Sequence, residues 1–341
     1  MTKQTLLYIG HAFHNKTKSN LFLLDLLRKR YNIEFFFFDP YKDNPKTCFL
    51  PLKGKNYDIL LLWQIMPRLF ELKKYITFKK GVFFPMYDAA VFSLNNHIWD
   101  EYQDIQIINF CKKLHTHLKK RGFSSHYIQY FPSPSSITDI GSVKSVFFWQ
   151  RRSEVNINTV ERLLENNSID HLHIHKALDP NENFTEPSNT LKYKISYSEW
   201  FKTKEELKKT MERSAIYIAP RLREGIGMSF LEAMALGRCV IAPDYPTMNE
   251  YIKNKVTGFL YNPSAPQSIK LNNVRRIQEK VVKYIQKGFK KWEKKKWKIL
   301  DWIEEKPVTN KKRIQSHFKQ VIKKEYYLFG FIPLFKEEVE Q

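Results

Sequence analysis

The chain of 341 residues has only three cysteines, Cys48, Cys111 and Cys239, odd in number, widely spaced and never in a Cys-x-x-Cys pair. That excludes a disulfide framework and a paired-cysteine metal or redox motif, and it fits a reducing compartment. Long apolar runs are also missing. The run after Met1-Thr2-Lys3-Gln4 stops at Gly10, too short for the core of a signal peptide, and no stretch reaches the roughly 18 apolar residues of a spanning helix. The expected location is the cytosol, with any membrane association peripheral. Acidic residues are scarce, 35 Asp and Glu against 57 Lys and Arg, for a net charge of +22. Such an excess implies an anionic partner, with nucleic acid, lipid headgroups and a nucleotide substrate as candidates. A hydrophobic content of 43% with 15% aromatics excludes a disordered chain.

Short apolar runs at 5–10, 33–39, 57–63, 81–86, 105–109 and 126–130 read as buried strands, with helical patterns at 19–30 and 111–121 between them. The stretch Pro132-Ser133-Pro134-Ser135-Ser136 fits neither a helix nor a central strand and reads as a linker. The alternation then restarts, with strands at 144–149, 171–175, 193–196, 215–219 and 239–242 and helices at 158–165, 204–213 and 228–236. Alternation of this kind implies parallel sheets covered by helices. The expected division is an α/β domain over 1–131, a linker over 132–142, a second α/β domain over 143–275 and basic helices over 276–341. The two halves share an architecture and no detectable sequence repeat.

The segment from Ala219 to Ala242 carries the most information. It runs from a strand through Arg221-Leu222-Arg223-Glu224-Gly225-Ile226-Gly227 into a helix that stops at Gly237, and then into a second strand. Glycines let the backbone approach a ligand closely, and free N–H groups with the dipole at a helix N-terminus attract phosphate. In a parallel sheet such a turn lies at the carboxyl edge, where ligands bind. Glu224 and Glu232 are separated by up to about 12 Å at ~1.5 Å per residue, wider than the carboxyl pair of a glycosidase. The spacing suits one carboxylate at each end of an extended ligand whose phosphates rest on the glycine turn.

From Pro220 to Gly237 the sequence resembles the donor-binding motif of retaining glycosyltransferases of the GT-B fold, particularly glycosyltransferase family 4. The shared pattern is Glu, seven residues, Glu, within Pro-x-x-x-Glu-Gly-x-Gly and ahead of Glu-Ala-Met-Ala-x-Gly. Asn249-Glu250-Tyr251-Ile252 and Val256-Thr257-Gly258-Phe259-Leu260 resemble the continuation. The resemblance implies a GT-B fold, two Rossmann-like domains facing a central cleft. It implies that Glu224 contacts hydroxyls of the transferred sugar, that Glu232 binds the nucleotide ribose, and that Gly225, Ile226 and Gly227 face the diphosphate. It implies no metal and no cofactor, only a nucleotide-sugar co-substrate, with UDP the expected nucleotide, and a glycan or lipid-linked glycan as acceptor. The family also places a Gly-Arg after the first strand of the second half and a lysine about six residues on. Here Arg151 takes the arginine position, Gln150 replaces the glycine, and the positions around Asn156 hold no lysine. The second phosphate cation is therefore left to Arg152, Arg221 or Arg223. Asp88, after the strand at 81–86, is expected either to contact the sugar or acceptor hydroxyl or simply to form a turn; His11 and His14 are weaker acceptor-side candidates. His171, His173 and His175 alternate as on one strand face, which is expected to be solvated and not a metal site.

Residues 270–324 hold 19 Lys and Arg against 5 Asp and Glu. Within them Val281, Val282, Ile285, Phe289, Trp292, Ile299 and Ile303 recur at helical steps, with Lys283, Lys287, Lys290, Lys291, Lys294, Lys295 and Lys298 on the other faces. Three readings fit: a solvated helix, a nucleic-acid surface, or a helix on an anionic membrane. No zinc spacing, RNA-recognition pattern or helix-turn-helix context supports the second, and no nucleic-acid partner is expected. Trp292, Trp297 and Trp302 among the lysines, with the apolar ending 326–335, favour the membrane, although in the GT-B fold part of this face can pack back on the first half. The expected activity is a hexosyltransferase of bacterial surface-glycan synthesis, lipopolysaccharide or capsule; the alternative is an inactive GT-B-like scaffold that binds polyanions or nucleic acid through the tail.

Overall fold

The computed structural model describes residues 3–39, 43–44, 47–188, 193–311 and 314. Among them two parallel sheets of six strands form, each flanked by helices. The first contains β1 (Gln4–Gly10), β2 (Tyr31–Phe37), β3 (Lys55–Trp63), β4 (Ile76–Phe84), β5 (Gln106–Asn109) and β6 (Ser125–Tyr127), in the order β2-β1-β3-β4-β5-β6. Its helices are α1 (Phe13–Thr17), α2 (Leu21–Leu27), α3 (Leu69–Leu72), α4 (Tyr87–Ala90) and α5 (Lys112–Arg121). Period-two alternation sorts the side chains to opposite faces of this sheet. Leu6, Tyr8, Ile59, Leu61, Trp63, Val82 and Phe84 join one core, while Leu7, Ile9, Leu60, Leu62 and Phe83 join the other.

Residues 128–141 carry no helix or strand and lead into the second sheet. That sheet contains β7 (Ser142–Trp149), β8 (His171–His175), β9 (Lys194–Ser198), β10 (Ser214–Ile218), β11 (Cys239–Pro243) and β12 (Phe259–Tyr261), ordered β12-β11-β10-β7-β8-β9. With it go α6 (Ile157–Leu164), α7 (Lys204–Glu212), α8 (Met228–Ala235), α9 (Met248–Tyr251), α10 (Val274–Lys295) and α11 (Lys298–Glu304). Every residue of β10 and β11 is buried, as strands covered on both faces must be. The fold is the GT-B arrangement of two Rossmann-like α/β domains with C-terminal helices.

The histidine face departs from expectation. His173 and His175 are buried, not solvated, because serines of the next strand interleave with them. Ser196 Oγ lies 2.8 Å from both His171 Nε2 and His173 Nδ1, and Ser198 Oγ lies 2.8 Å from His173 Nε2 and 2.9 Å from His175 Nδ1. Burial, assisted by the neighbouring histidines, lowers His173 and His175 to about 4. Both therefore stay neutral in the folded protein, while in the unfolded chain they bind protons below about 6.5. Their stabilising contribution is complete above that value and is lost as pH falls through about 4. The melting temperature should drop between about pH 6.5 and 5, where ordinary carboxylates with pKa near 4 are still ionised; a flat profile there contradicts a neutral buried ladder.

The basic tail also differs in part. Val281, Ile285, Trp292, Ile299 and Ile303 are core residues. Trp292 packs against Phe22 and Tyr130 of the first domain, with ring centroids 5.7 and 5.0 Å away. Beyond it, Glu304 accepts from Tyr31 Oη at 2.7 Å and pairs with Lys80 at 2.8 Å, and Trp302 stacks on His126 at 4.6 Å. The last two helices thus close back on the first sheet, and their apolar stripe meets protein where the sequence suggested lipid headgroups. Of the three tryptophans only Trp297 is exposed, at 42%, with Lys29 Nζ 5.0 Å from its ring centroid. The lysines Lys283, Lys287, Lys290, Lys291, Lys294, Lys295 and Lys298 do lie outward as an exposed stripe. The apolar ending at 326–335 lies outside the described residues.

Candidate active site

Strand order reverses between β1 and β3 in the first sheet and between β7 and β10 in the second. At such switch points the loops leaving the carboxyl ends diverge and open a crevice for ligand. The loops after β7 and β10 carry Arg151 and Arg152, and Arg221 to Gly227, respectively. The carboxyl edge of the first sheet meets them: Asp88, in α4 just after β4, accepts from Arg221 Nη1 at 2.9 Å. A Cβ added to Gly225 would lie 2.7 Å from Met86 Cβ, so only glycine lets the turn lie flush against the opposite domain.

Gly227 is the N-cap of α8 at φ +83°, a conformation glycine adopts without penalty, and no side chain caps the helix. The first N–H groups of α8 are thereby left to an incoming anion, which the helix dipole favours. Behind the turn, Thr247 Oγ1 donates to the carbonyls of Glu224 and Ile226 at 3.4 Å each, and Glu154 accepts from the Leu222 N–H at 3.0 Å. Ile226 itself is buried and anchors the loop.

Glu224 is 6% exposed and its Oε1 has no hydrogen-bond partner among the described residues. Oε2 lies 3.8 Å from Arg221 Nη1. Burial raises the Glu224 carboxyl above its ordinary value, opposed by Arg221 and Arg151. Hydroxyl donors of a bound sugar would satisfy Oε1 and favour the ionised form. Burial pulls the Arg221 guanidinium down, but Glu224 and Asp88 outweigh it and hold the charge in place. Asp88 Oδ1 and Arg221 Nε are likewise buried without partners among the described residues. Unpaired polar atoms from both domains converge here, as in a site built for a polar ligand. Glu232 lies half-buried in the second turn of α8, its carboxyl raised by burial and lowered by Lys204.

The arginines divide. Arg151 and Arg152 both pair with Asp179 at 2.8 Å. Arg221 is occupied by two carboxylates. Arg223 lies between the rings of Phe92 and Tyr245, 5.6 and 4.9 Å from their centroids, a contact that again crosses the domains. Gln150 is fully buried, donates to the Asn183 carbonyl at 3.5 Å and leaves Oε1 unpartnered among the described residues. Asn156 accepts from the Thr159 N–H at 3.3 Å as the N-cap of α6, so a helix cap occupies the region where the family pattern has a lysine. On the acceptor side, His14 Nε2 lies 2.7 Å from Gln64 Oε1, and burial lowers its pKa, with Asp88 among the groups opposing that. His11 Nε2 is 3.5 Å from Asp39 Oδ1. Among the described residues no group of three His, Cys, Asp or Glu side chains is arranged to hold a metal.

Comparison with known proteins bears on this site. Residues 191–291, which include the Glu224 turn and α8, match the family model Glycosyl transferases group 1. That match covers less than a third of the chain. A sucrose synthase of Melioribacter roseus is 35% identical over 78 residues, 23% of this chain and 9% of that protein. Among solved structures, sucrose-phosphate synthase from Thermosynechococcus elongatus superposes with a TM-score of 0.60 at 12% identity, covering 96% of this chain and 100% of that one. Anabaena Alr3699/HepE, solved with UDP and glucose, gives 0.56 at 10% identity over 94% and 100% of the two chains. The lipopolysaccharide outer core galactosyltransferase WaaB gives 0.54 at 13% identity over 84% and 98%. At such identities the structural likeness establishes the fold alone. A residue that reading the sequence missed is Asp179, whose contacts with Arg151 and Arg152 are visible only once β7 and β8 are paired.

Proposed function

We propose that the chain is a retaining glycosyltransferase of family 4 type that moves a hexose-type sugar from a nucleoside-diphosphate donor, UDP first among the candidates, to a bacterial surface glycan or lipid-linked acceptor. The observation that carries the reading is Glu224: a buried carboxylate with one unpaired oxygen, held where the carboxyl edges of both sheets meet and beside an uncapped helix N-terminus. In this reading Glu224 accepts hydroxyls of the donor sugar, Glu232 holds the ribose, and the turn from Gly225 to Gly227 with Arg151 and Arg152 takes the diphosphate. The bond between the anomeric carbon and the diphosphate oxygen breaks, leaving an oxocarbenium-like sugar. Charge growing on the leaving phosphate is met by fixed cations and backbone N–H groups, electrostatic stabilisation of the kind that usually dominates catalysis. The acceptor hydroxyl attacks from the same face and passes its proton to the departing phosphate. No metal is required.

The Asp88–Arg221 pair and the Phe92–Arg223 contact join the two domains beside this point; in this reading closure over a bound donor keeps water from the reacting carbon. The exposed lysine stripe of α10 supports a place on the inner face of an anionic membrane, each lysine near the surface contributing about 1 kcal/mol. Sedimentation with anionic but not neutral vesicles tests that placement; equal binding to both refutes it.

The function is tested by thermal shift with UDP-, GDP- and ADP-sugars, since a ligand bound only by the folded state raises stability by about 2.7 kcal/mol at one hundred times its dissociation constant. One donor should raise the melting temperature and the others should not. No shift with any of them, together with salt-sensitive binding of nucleic acid, would instead establish the polyanion-binding scaffold.

A further inference from the structure

The loop after β8 carries Asp179, 28 residues beyond Arg151 in sequence and adjacent to it in space. Its carboxylate divides between two guanidiniums. Oδ1 accepts from Arg151 Nε and Oδ2 from Arg152 Nε, each at 2.8 Å, and the Asp179 N–H donates to the Arg151 carbonyl at 2.9 Å. The Asp179 side chain is only 13% exposed, while Arg151 and Arg152 are 21% and 38% exposed. The Arg151 guanidinium also lies 5.5 Å from the Trp149 ring centroid. Next along the chain, Glu182 accepts from both the N–H and Oγ of Ser153 at 2.8 Å, which ties the far end of the β7 loop to the same segment.

Two physical consequences follow. Each guanidinium has five N–H donors in a planar fork, and contact through Nε leaves the Nη edge of each for another anion. Adjacent arginines also repel; a carboxylate shared between them offsets that repulsion and holds the two guanidiniums side by side in the loop after β7, the strand that neighbours β10 at the switch point. We propose that Asp179 is the positioning residue of the donor's diphosphate pocket, aligning Arg151 and Arg152 as a matched pair so that Arg152 supplies the second phosphate cation that the Asn156 region lacks. This rests on the donor-binding reading given above. Asp179 acts through the arginines and does not itself touch the donor, since a carboxylate against phosphate would repel.

The test separates positioning from mere neutralisation. Asp179→Asn keeps the shape and one acceptor oxygen but loses the charge and one of the two Nε contacts. If Asp179 only neutralises the arginines, removing its charge should tighten nucleoside-diphosphate binding. If it positions them, binding should weaken about tenfold, the lower end of what outer-shell supports contribute at metal sites, while binding of the corresponding nucleoside monophosphate changes little. Calorimetric titration of the wild type and variant with UDP, GDP and ADP and their monophosphates reads both. Arg152→Lys, on a partly exposed side chain, provides the same comparison should Asp179→Asn fail to fold: charge is kept and the Nε contact is lost, so diphosphate affinity should again fall about tenfold. The two changes combined should cost less than their sum, as for residues of one network. Wild type that binds a diphosphate, with variants that bind it equally or more tightly, overturns the inference alone. Wild type that binds no nucleoside diphosphate overturns the donor reading and the inference with it.

Discussion

Glu224→Ala should lower sugar transfer about 100- to 1,000-fold, the effect of removing one electrostatic contact to a transition state, and should leave the protein folded. The loss follows from position. Glu224 Oε1 is buried and unpaired, so no protein group takes its place when a sugar hydroxyl needs an acceptor. The fold survives because this carboxylate is not part of a saturated network. Burial disfavours its charge, its nearest cation is 3.8 Å away, and that cation keeps Asp88 at 2.9 Å. Replacement by alanine removes a desolvated group whose departure relieves as much as it costs. Donor turnover and melting temperature measured on the same preparation check both halves; turnover near that of the wild type would remove Glu224 from the site.

Trp292→Ala should destabilise the protein by about 3–5 kcal/mol, as for large aromatic residues removed from cores. The indole is 4% exposed and fills the space between Phe22 and Tyr130, so it joins α10, the helix that follows the second sheet, to the first domain. Trp297→Ala, five residues on and 42% exposed, should change stability by no more than about 0.5 kcal/mol, the ordinary range for surface positions. Urea unfolding of the two variants side by side gives the comparison. Equal and small effects would mean that the apolar stripe of α10 is not core and would return it to the membrane reading.

That helix shows why part of the molecule was readable beforehand and part was not. The recurrence of Val281, Ile285 and Trp292 specifies an amphipathic helix, and one forms. The same period results whether the apolar face meets lipid or protein, and the partner residues Phe22 and Tyr130 lie far away in sequence. The histidines of β8 have the same limit. Alternation places His171, His173 and His175 on one face, but Ser196 and Ser198, which bury them, belong to β9. Local signals worked best where the chemistry itself is local: Gly225 and Gly227, the start of α8 and the two flanking strands are set by residues a few positions apart. Asp88 was visible as a residue after a strand, but its pairing with Arg221 across 133 positions was not. Asp179 gave no signal at all, because an isolated Asp in a loop looks like any turn residue until β7 and β8 bring it to Arg151 and Arg152.

The central claim is that the meeting point of the two sheets binds and cleaves a nucleoside-diphosphate sugar. Its most direct measurement is release of nucleoside diphosphate from UDP-, GDP- and ADP-sugars by the full chain, with a bacterial membrane fraction as the source of acceptor and Glu224→Ala in parallel. Release from one of these donors by the wild type, with the bond formed in the donor's own anomeric configuration and with the Glu224→Ala variant at the background rate, is the predicted result. No release from any donor, or equal release by both proteins, would contradict it.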